Sequence, residues 1–157
     1  KTGEIKKKRG FGVIDVRGNW HVRYTNPEVK VKERVISQNN EEGSSYSLVI
    51  KKEHNTVCCV VEGFIDGIRI DELLPRADIL MLNGVENARK IKSVIQRYET
   101  VYIAVDNDEP GQKVAKELIQ YAKEPVLVRF KSKDIDEAVK RGEEITYEKI
   151  TQSQQNE

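Results

Sequence analysis

Only two cysteines occur in the 157 residues, and they stand side by side, Cys58-Cys59, inside an apolar run. Neighbours so placed build no disulfide framework, and no Cys/His spacing resembles a zinc site. Buried, unreactive thiols in a reducing cytosol are the expectation. Long apolar runs are missing too. Nothing approaches the ~20 residues that a helix needs to span a bilayer, so no membrane partner is expected. No stretch reads as a secretory signal peptide. The chain opens on Lys1 rather than Met, from which a piece of a longer polypeptide is expected. The histidines, His21 and His54, are isolated and suggest no ligand set.

Hydrophobic residues make up 38% of the chain and charged residues 34%, so much of the surface must carry charge. The net charge of +1 hides an asymmetry. Residues 1–35 hold ten Lys and Arg against four Asp and Glu, which leaves the remainder acidic. A basic end joined to an acidic body points to a polyanion at one end and cations at the other.

From Gly10 to about Ile50 the signals are short strands and turns. Phe11–Val16, Trp20–Tyr24 and Val29–Ile36 are rich in aromatic and β-branched residues, with Arg17-Gly18-Asn19 as a hairpin turn between the first two. Phe11, Trp20 and Tyr24 at strand spacing are expected in the core. Residues 37–47 form a polar loop, and Ser47–Ile50 is a further short strand. After Thr56 the rhythm changes. Apolar runs at Val57–Val61, Ile79–Leu82, Val101–Val105 and Val126–Phe130 alternate with helical patterns. Those patterns cover Phe64–Leu74, Glu86–Tyr98, Pro110–Ala122 and Ile135–Lys140. Strands alternating with helices imply parallel βαβ units covered on both faces. The fold class expected is α/β: a four-stranded, mostly parallel sheet flanked by helices, with a small basic antiparallel β subdomain ahead of it. The expected boundaries are 1–52, 53–147 and a polar tail over 148–157.

Ligands of open parallel sheets bind beyond the carboxyl ends of the strands. Glu62 directly follows the Val57–Val61 strand, and Asp106 and Asp108 directly follow Val101–Val105. If those strands are neighbours, three carboxylates share one rim and repel strongly unless a cation compensates. Hard oxygen donors on strand ends suit Mg²⁺ or Mn²⁺. Gly63 and Gly111 would let a backbone or substrate approach the carboxylates closely. Asp108 alone also reads as the cap of the helix beginning at Pro110. The paired motifs, each on a strand end, favour the metal. In Lys133-Asp134-Ile135-Asp136-Glu137, Asp134 and Asp136 could serve a second ion, or Asp134 could cap a helix with Glu137 three residues on.

Glu62-Gly63 after one strand and Asp106-Asn107-Asp108 after a later one resemble the TOPRIM domain. That module is shared by bacterial-type DNA primases, type IA and II topoisomerases, OLD-type nucleases and some ribosomal-RNA maturation nucleases. The resemblance covers about Val57 to Gly142. Within the family, VEGFIDGIRI, DNDEPGQKVA and KDIDEAVKRG are similar in wording to bacterial and phage-type DNA primases. Gly10-Phe11-Gly12 is loosely similar to the primase N-terminal subdomain, but Val13-Ile14 follow where an arginine is usual. No zinc module and no P-loop accompany these segments.

The resemblance implies a nucleotidyltransferase, a DNA primase core making RNA primers from NTPs on single-stranded DNA in the cytoplasm, with a replicative helicase as partner. Asp106 and Asp108 would be metal ligands, and Glu62 a ligand or general base. Asp66 would ligate or support them, with a solvated helix face as its alternative. Lys6, Lys7, Lys8, Arg9, Arg23 and Lys30 would track template phosphates, or the lysine run is a solvated tail. Lys113 would reach a phosphate or simply lie on the surface. The alternatives are a TOPRIM nuclease, topoisomerase-type phosphodiester chemistry, and a non-catalytic nucleic-acid-binding module.

Overall fold

The computed structural model describes residues 10–14, 18–25, 33–36, 47–50, 52 and 55–155. The chain divides into two compact units, Lys1–Gly43 and Ser44–Glu157.

In the first unit, β1 (Gly10–Ile14), β2 (Trp20–Tyr24) and β3 (Glu33–Ile36) form an antiparallel sheet in that order. Gly18, with φ 83°, takes the left-handed conformation that glycine adopts without cost, just ahead of β2. Gly12 is pressed against β2, where a Cβ would lie 2.3 Å from the His21 carbonyl oxygen. Trp20 was expected in the core but is 43% exposed, paired across the strands with exposed Ile14. Among the described residues of the unit, the three short strands offer that indole no opposing layer.

The second unit is a six-stranded sheet in the order β4 (Ser47–Ile50), β6 (Asp78–Met81), β5 (Val57–Val61), β7 (Thr100–Ala104), β8 (Glu124–Arg129) and β9 (Thr146–Lys149). The four expected parallel strands are its centre, and β4 and β9 close the two edges in antiparallel pairing. The expected boundary at residue 52 therefore moves to 43/44, because β4 pairs with β6. The expected tail from 148 likewise begins inside β9 and continues into the short helix α5 (Gln152–Gln155).

α1 (Phe64–Leu73) and α4 (Ile135–Lys140) lie together on one face of this sheet, with α1 packed on β5 and β6. Gly67 lets α1 sit close, since a Cβ there would be 3.2 Å from Ile79 Cγ2. On the other face α3 (Glu109–Tyr121), through Leu118, α2 (Lys92–Ile95) and a 3-10 segment over Val85–Ile91 cover Cys58, Val60, Leu80 and Ile103. Each such fully buried aliphatic side chain contributes about 2 kcal/mol as an upper estimate. Both cysteines are buried thiols, as expected.

The connection from β5 through α1 leads to β6 on one side, whereas β7 returns to the other side of β5. Strand order thus reverses between β5 and β7, the place where such sheets leave a crevice. Among the described residues no helix is long and apolar enough to cross a membrane.

Candidate active site at the carboxyl rim

β5 and β7 run parallel, with Val61 opposite Ala104, so Glu62 and Asp106 leave the sheet as neighbours. The Asp106 backbone N–H donates to Glu62 Oε1 at 3.1 Å. Gly111, in the first turn of α3, closes over both groups. A Cβ there would stand 2.1 Å from the Asp106 carbonyl oxygen and 2.9 Å from Glu62 Oε1. Gly63 caps α1 in extended conformation, and a Cβ there would meet Asp66 Oδ2 at 3.1 Å.

Both aspartates suspected of capping helices do so. Asp108 Oδ1 accepts the Gly111 N–H at 2.9 Å, and Asp134 Oδ1 accepts the Glu137 N–H at 2.8 Å. Asp136 is drawn elsewhere: Arg69 Nε of α1 donates to its Oδ1 at 2.8 Å and Lys140 binds its Oδ2. Burial pushes the Asp136 carboxyl up, but the Lys140 and Arg69 hydrogen bonds outweigh it and leave it below the usual range. Asp136 thereby fastens α4 to α1. The expected ligands Glu62, Asp106, Asp108, Asp134 and Asp136 do not close a cage. Among the described residues no three His, Cys, Asp or Glu side chains gather as a ready cation site. Glu62, Asp108 and Asp134 each give one oxygen to a backbone N–H and keep the other, whereas Asp136 gives both to cations.

The charge is nevertheless concentrated. Burial, then the Asp106 charge, raises the Glu62 carboxyl. Burial, then Asp106 and Asp134, pushes Asp66 to about 7. Burial raises Asp106 against the pull of Lys133, whose Nζ lies 3.6 Å from Asp106 Oδ2. These folded carboxyls hold their protons more tightly than unfolded ones, whose ordinary range lies near about 4. Their stabilising contribution is present in full below that range and disappears as pH rises through the folded values, which for Asp66 is about 7. Asp136 and Glu143, both lowered, act oppositely and lose their contribution as pH falls. In chelator, the melting temperature is therefore expected to drop by several degrees between pH 5 and pH 8. Scanning calorimetry at both values checks this, and a flat profile contradicts it.

The remaining expected residues scatter. Lys113 pairs with Glu109 on the exposed side of α3 at 2.7 Å. Arg23 lies in β2 of the N-terminal unit, opposite Phe11 and Glu33. Lys6, Lys7, Lys8, Arg9 and Lys30 lie outside the described residues.

Three residues that the sequence reading passed over build the rim. Asn107, between the two aspartates, donates its side-chain amide to the Phe130 and Ser132 carbonyls, both at 2.8 Å. Its backbone N–H donates to the Lys133 carbonyl at 2.7 Å. Glu143 accepts the Lys131 and Ser132 N–H groups at 2.8 and 2.9 Å, and the Ser132 hydroxyl as well. Lys133, on the loop so held, faces Asp106. The usable signal was an amide side chain between strand-end carboxylates, since asparagine alone among short residues offers two donors to a neighbouring loop.

A family model described as Toprim-like matches residues 59–139. Among solved structures the chain is similar to the primase fragment of the bacteriophage T7 primase-helicase protein. The TM-score is 0.62 at 18% identity, over 86% of this chain and 58% of that one. It is also similar to a DNA primase domain from Pseudomonas aeruginosa, with TM-score 0.62, 19% identity, and 91% and 51% of the two chains covered. Identities this low establish likeness of fold. The chain spans a little over half the length of each of these structures. No curated protein matches it in sequence. With more than half of its residues matched by that model, the chain belongs to the Toprim-like family, in the fold shared by phage and bacterial DNA primase fragments.

Proposed function

We propose that this chain is part of a DNA primase core, a nucleotidyltransferase that joins NTPs into RNA primers on a single-stranded DNA template in the cytoplasm, beside a replicative helicase. The observation that carries the reading is the meeting of Glu62 and Asp106 across β5 and β7, at the reversal of strand order. The primase-like fold supports it.

The donor set suits Mg²⁺ or Mn²⁺: hard carboxylate oxygens, raised first by burial and then by neighbouring carboxylate charge, which a cation would offset. Asp106, with the second oxygens of Glu62 and Asp108, would hold the ion, and Asp134 lies close enough in charge to Asp106 to serve another. Bound divalent ions supply polarisation of the attacking 3′-hydroxyl and offset the charge of the departing pyrophosphate. Glu62, whose Oε1 accepts the Asp106 N–H, uses its other oxygen either for that ion or, in the alternative role, as the proton acceptor. Asp66 supports that carboxylate from the next turn. Lys6, Lys7, Lys8, Arg9, Arg23 and Lys30 track the template phosphates, the bases being left to pair with incoming nucleotides.

Incubation with single-stranded DNA, NTPs and Mg²⁺ tests the reading. Short RNA products are expected, whereas DNA shortened without NTPs would instead make the protein a nuclease. Calorimetry with Mn²⁺ gives a second measure. The Asp106→Ala/Asp108→Ala variant is expected to lose the uptake that the unaltered chain displays, and equal, poor uptake by both would leave only a nucleic-acid-binding module.

A further inference from the structure

Lys133 is the basic residue placed at the carboxylate rim, and the structure invests in its placement. The loop that carries it is gripped from both sides. Asn107 takes the carbonyls of Phe130, Ser132 and Lys133, and Glu143 takes the N–H groups of Lys131 and Ser132. Ser132 at the centre of the grip is 5% exposed. The Lys133 side chain emerges from this fixed base with 63% of its surface in solvent, and its ammonium stands 3.6 Å from Asp106 Oδ2. That contact is long and open to solvent, so it holds the ammonium only weakly as an ion pair. A rigid base beneath a loosely held ammonium suits a cation that is meant to move.

We propose that Lys133 is a built-in counter-cation of the carboxylate rim, yielding Asp106 to a divalent ion and then binding a phosphate of the nucleotide, with Asn107 as its positioning residue. This rests on the metal-dependent reading above and adds to it an exchange between two cations. While the rim lacks an ion, Lys133 offsets part of the repulsion around Asp106. A bound divalent ion would repel the ammonium and take its place on Asp106, while the fixed base would keep Lys133 beside the rim to meet a phosphate. A lysine ammonium is a compact donor of three hydrogen bonds, suited to a phosphate oxygen as a point charge.

Mn²⁺ titration of the full chain, first alone and then with ATP, reads both halves of the exchange. Lys133→Met keeps the apolar stem and removes the charge. It is expected to tighten Mn²⁺ alone about fivefold, as befits removal of a like charge a few ångströms from the ion near a protein surface. The same variant is expected to weaken ATP in the presence of Mn²⁺ by about fivefold or more. Asn107→Ala is expected to shift both affinities in the same directions by less, and to add nothing when combined with Lys133→Met. A merely structural Asn107 would add its own loss in the double variant. If Asn107→Ala fails to fold by circular dichroism, Lys133→Met decides alone. Unchanged or weaker Mn²⁺ binding by Lys133→Met, with the unaltered chain binding well, overturns the exchange and leaves the metal site standing. Absence of Mn²⁺ binding by the unaltered chain overturns both.

Discussion

Glu62→Gln is expected to abolish primer synthesis while the protein remains folded, a loss of about 10³-fold or more if this carboxylate is ligand or base as proposed. The isosteric amide keeps an oxygen where Oε1 now accepts the Asp106 N–H, so the bond that ties β5's end to β7's end survives. The negative charge is lost, along with the capacity to accept a proton. Stability should move the other way. Burial and the Asp106 and Asp108 charges raise the folded Glu62 carboxyl, so its ionised form costs the metal-free protein free energy near neutrality. The neutral amide carries no such cost, and the variant in chelator should melt slightly above the unaltered chain at pH 8 and alike at pH 4. Radiolabelled NTP incorporation and paired melting curves check the two halves. Synthesis within tenfold of the unaltered chain would remove Glu62 from the chemistry.

The central layer was legible because β5, β6, β7 and β8 are nearly continuous apolar runs, the mark of strands buried on both faces. The edge strand β9 was not, since Thr146-Tyr147-Glu148-Lys149 is exposed throughout and has no apolar alternation to announce it. β4 was visible as a strand but not as a member of this sheet, because its pairing with β6 is a long-range choice. The expected helix over Glu86–Tyr98 breaks into a 3-10 turn followed by four α-helical residues. Val85, Ala88 and Ile91 recur every three residues and Ile95 follows after four, so the spacing itself changes where the helix type changes. Buried Asn87 fixes the start of that turn by donating to the Leu82 carbonyl at 2.9 Å.

The site was legible in part. Strand-end carboxylates and their neighbouring glycines can be placed by counting from apolar runs, and Glu62, Asp106 and Gly111 do meet. The competition for each carboxylate oxygen cannot be counted in that way. Asp136 reads as one acid among several until α4 packs beside α1 and brings Arg69 to it. Asn107 and Glu143 were hidden for the same reason, because their partners are backbone groups of a loop that sequence does not align with them.

Gly111→Ala is expected to be the most damaging single-methyl change in the second unit, destabilising it by about 3 kcal/mol or more and ending synthesis. Elsewhere in α3 alanine improves a helix over glycine by up to about 1 kcal/mol, so the sign at Gly111 is set by its neighbours. A Cβ there would lie 2.1 Å from the Asp106 carbonyl oxygen, and the atom in the way is backbone that no rotamer change can move. Relief requires either α3 to slide along the sheet or the Asp106–Asp108 loop to lift. The first unpacks Val114 and Leu118 from the core. The second pulls the Asp106 N–H from Glu62 and strains the Asp108 cap. Both routes damage the rim, so activity should fall even in whatever fraction stays folded. Gly63→Ala serves as the contrast: its Cβ would meet only the end of the Asp66 side chain, at 3.1 Å, which a small rotation relieves. The melting temperature of Gly111→Ala should fall well below that of Gly63→Ala. If the two variants melt alike, the close approach of α3 to the strand ends is not what holds this rim together.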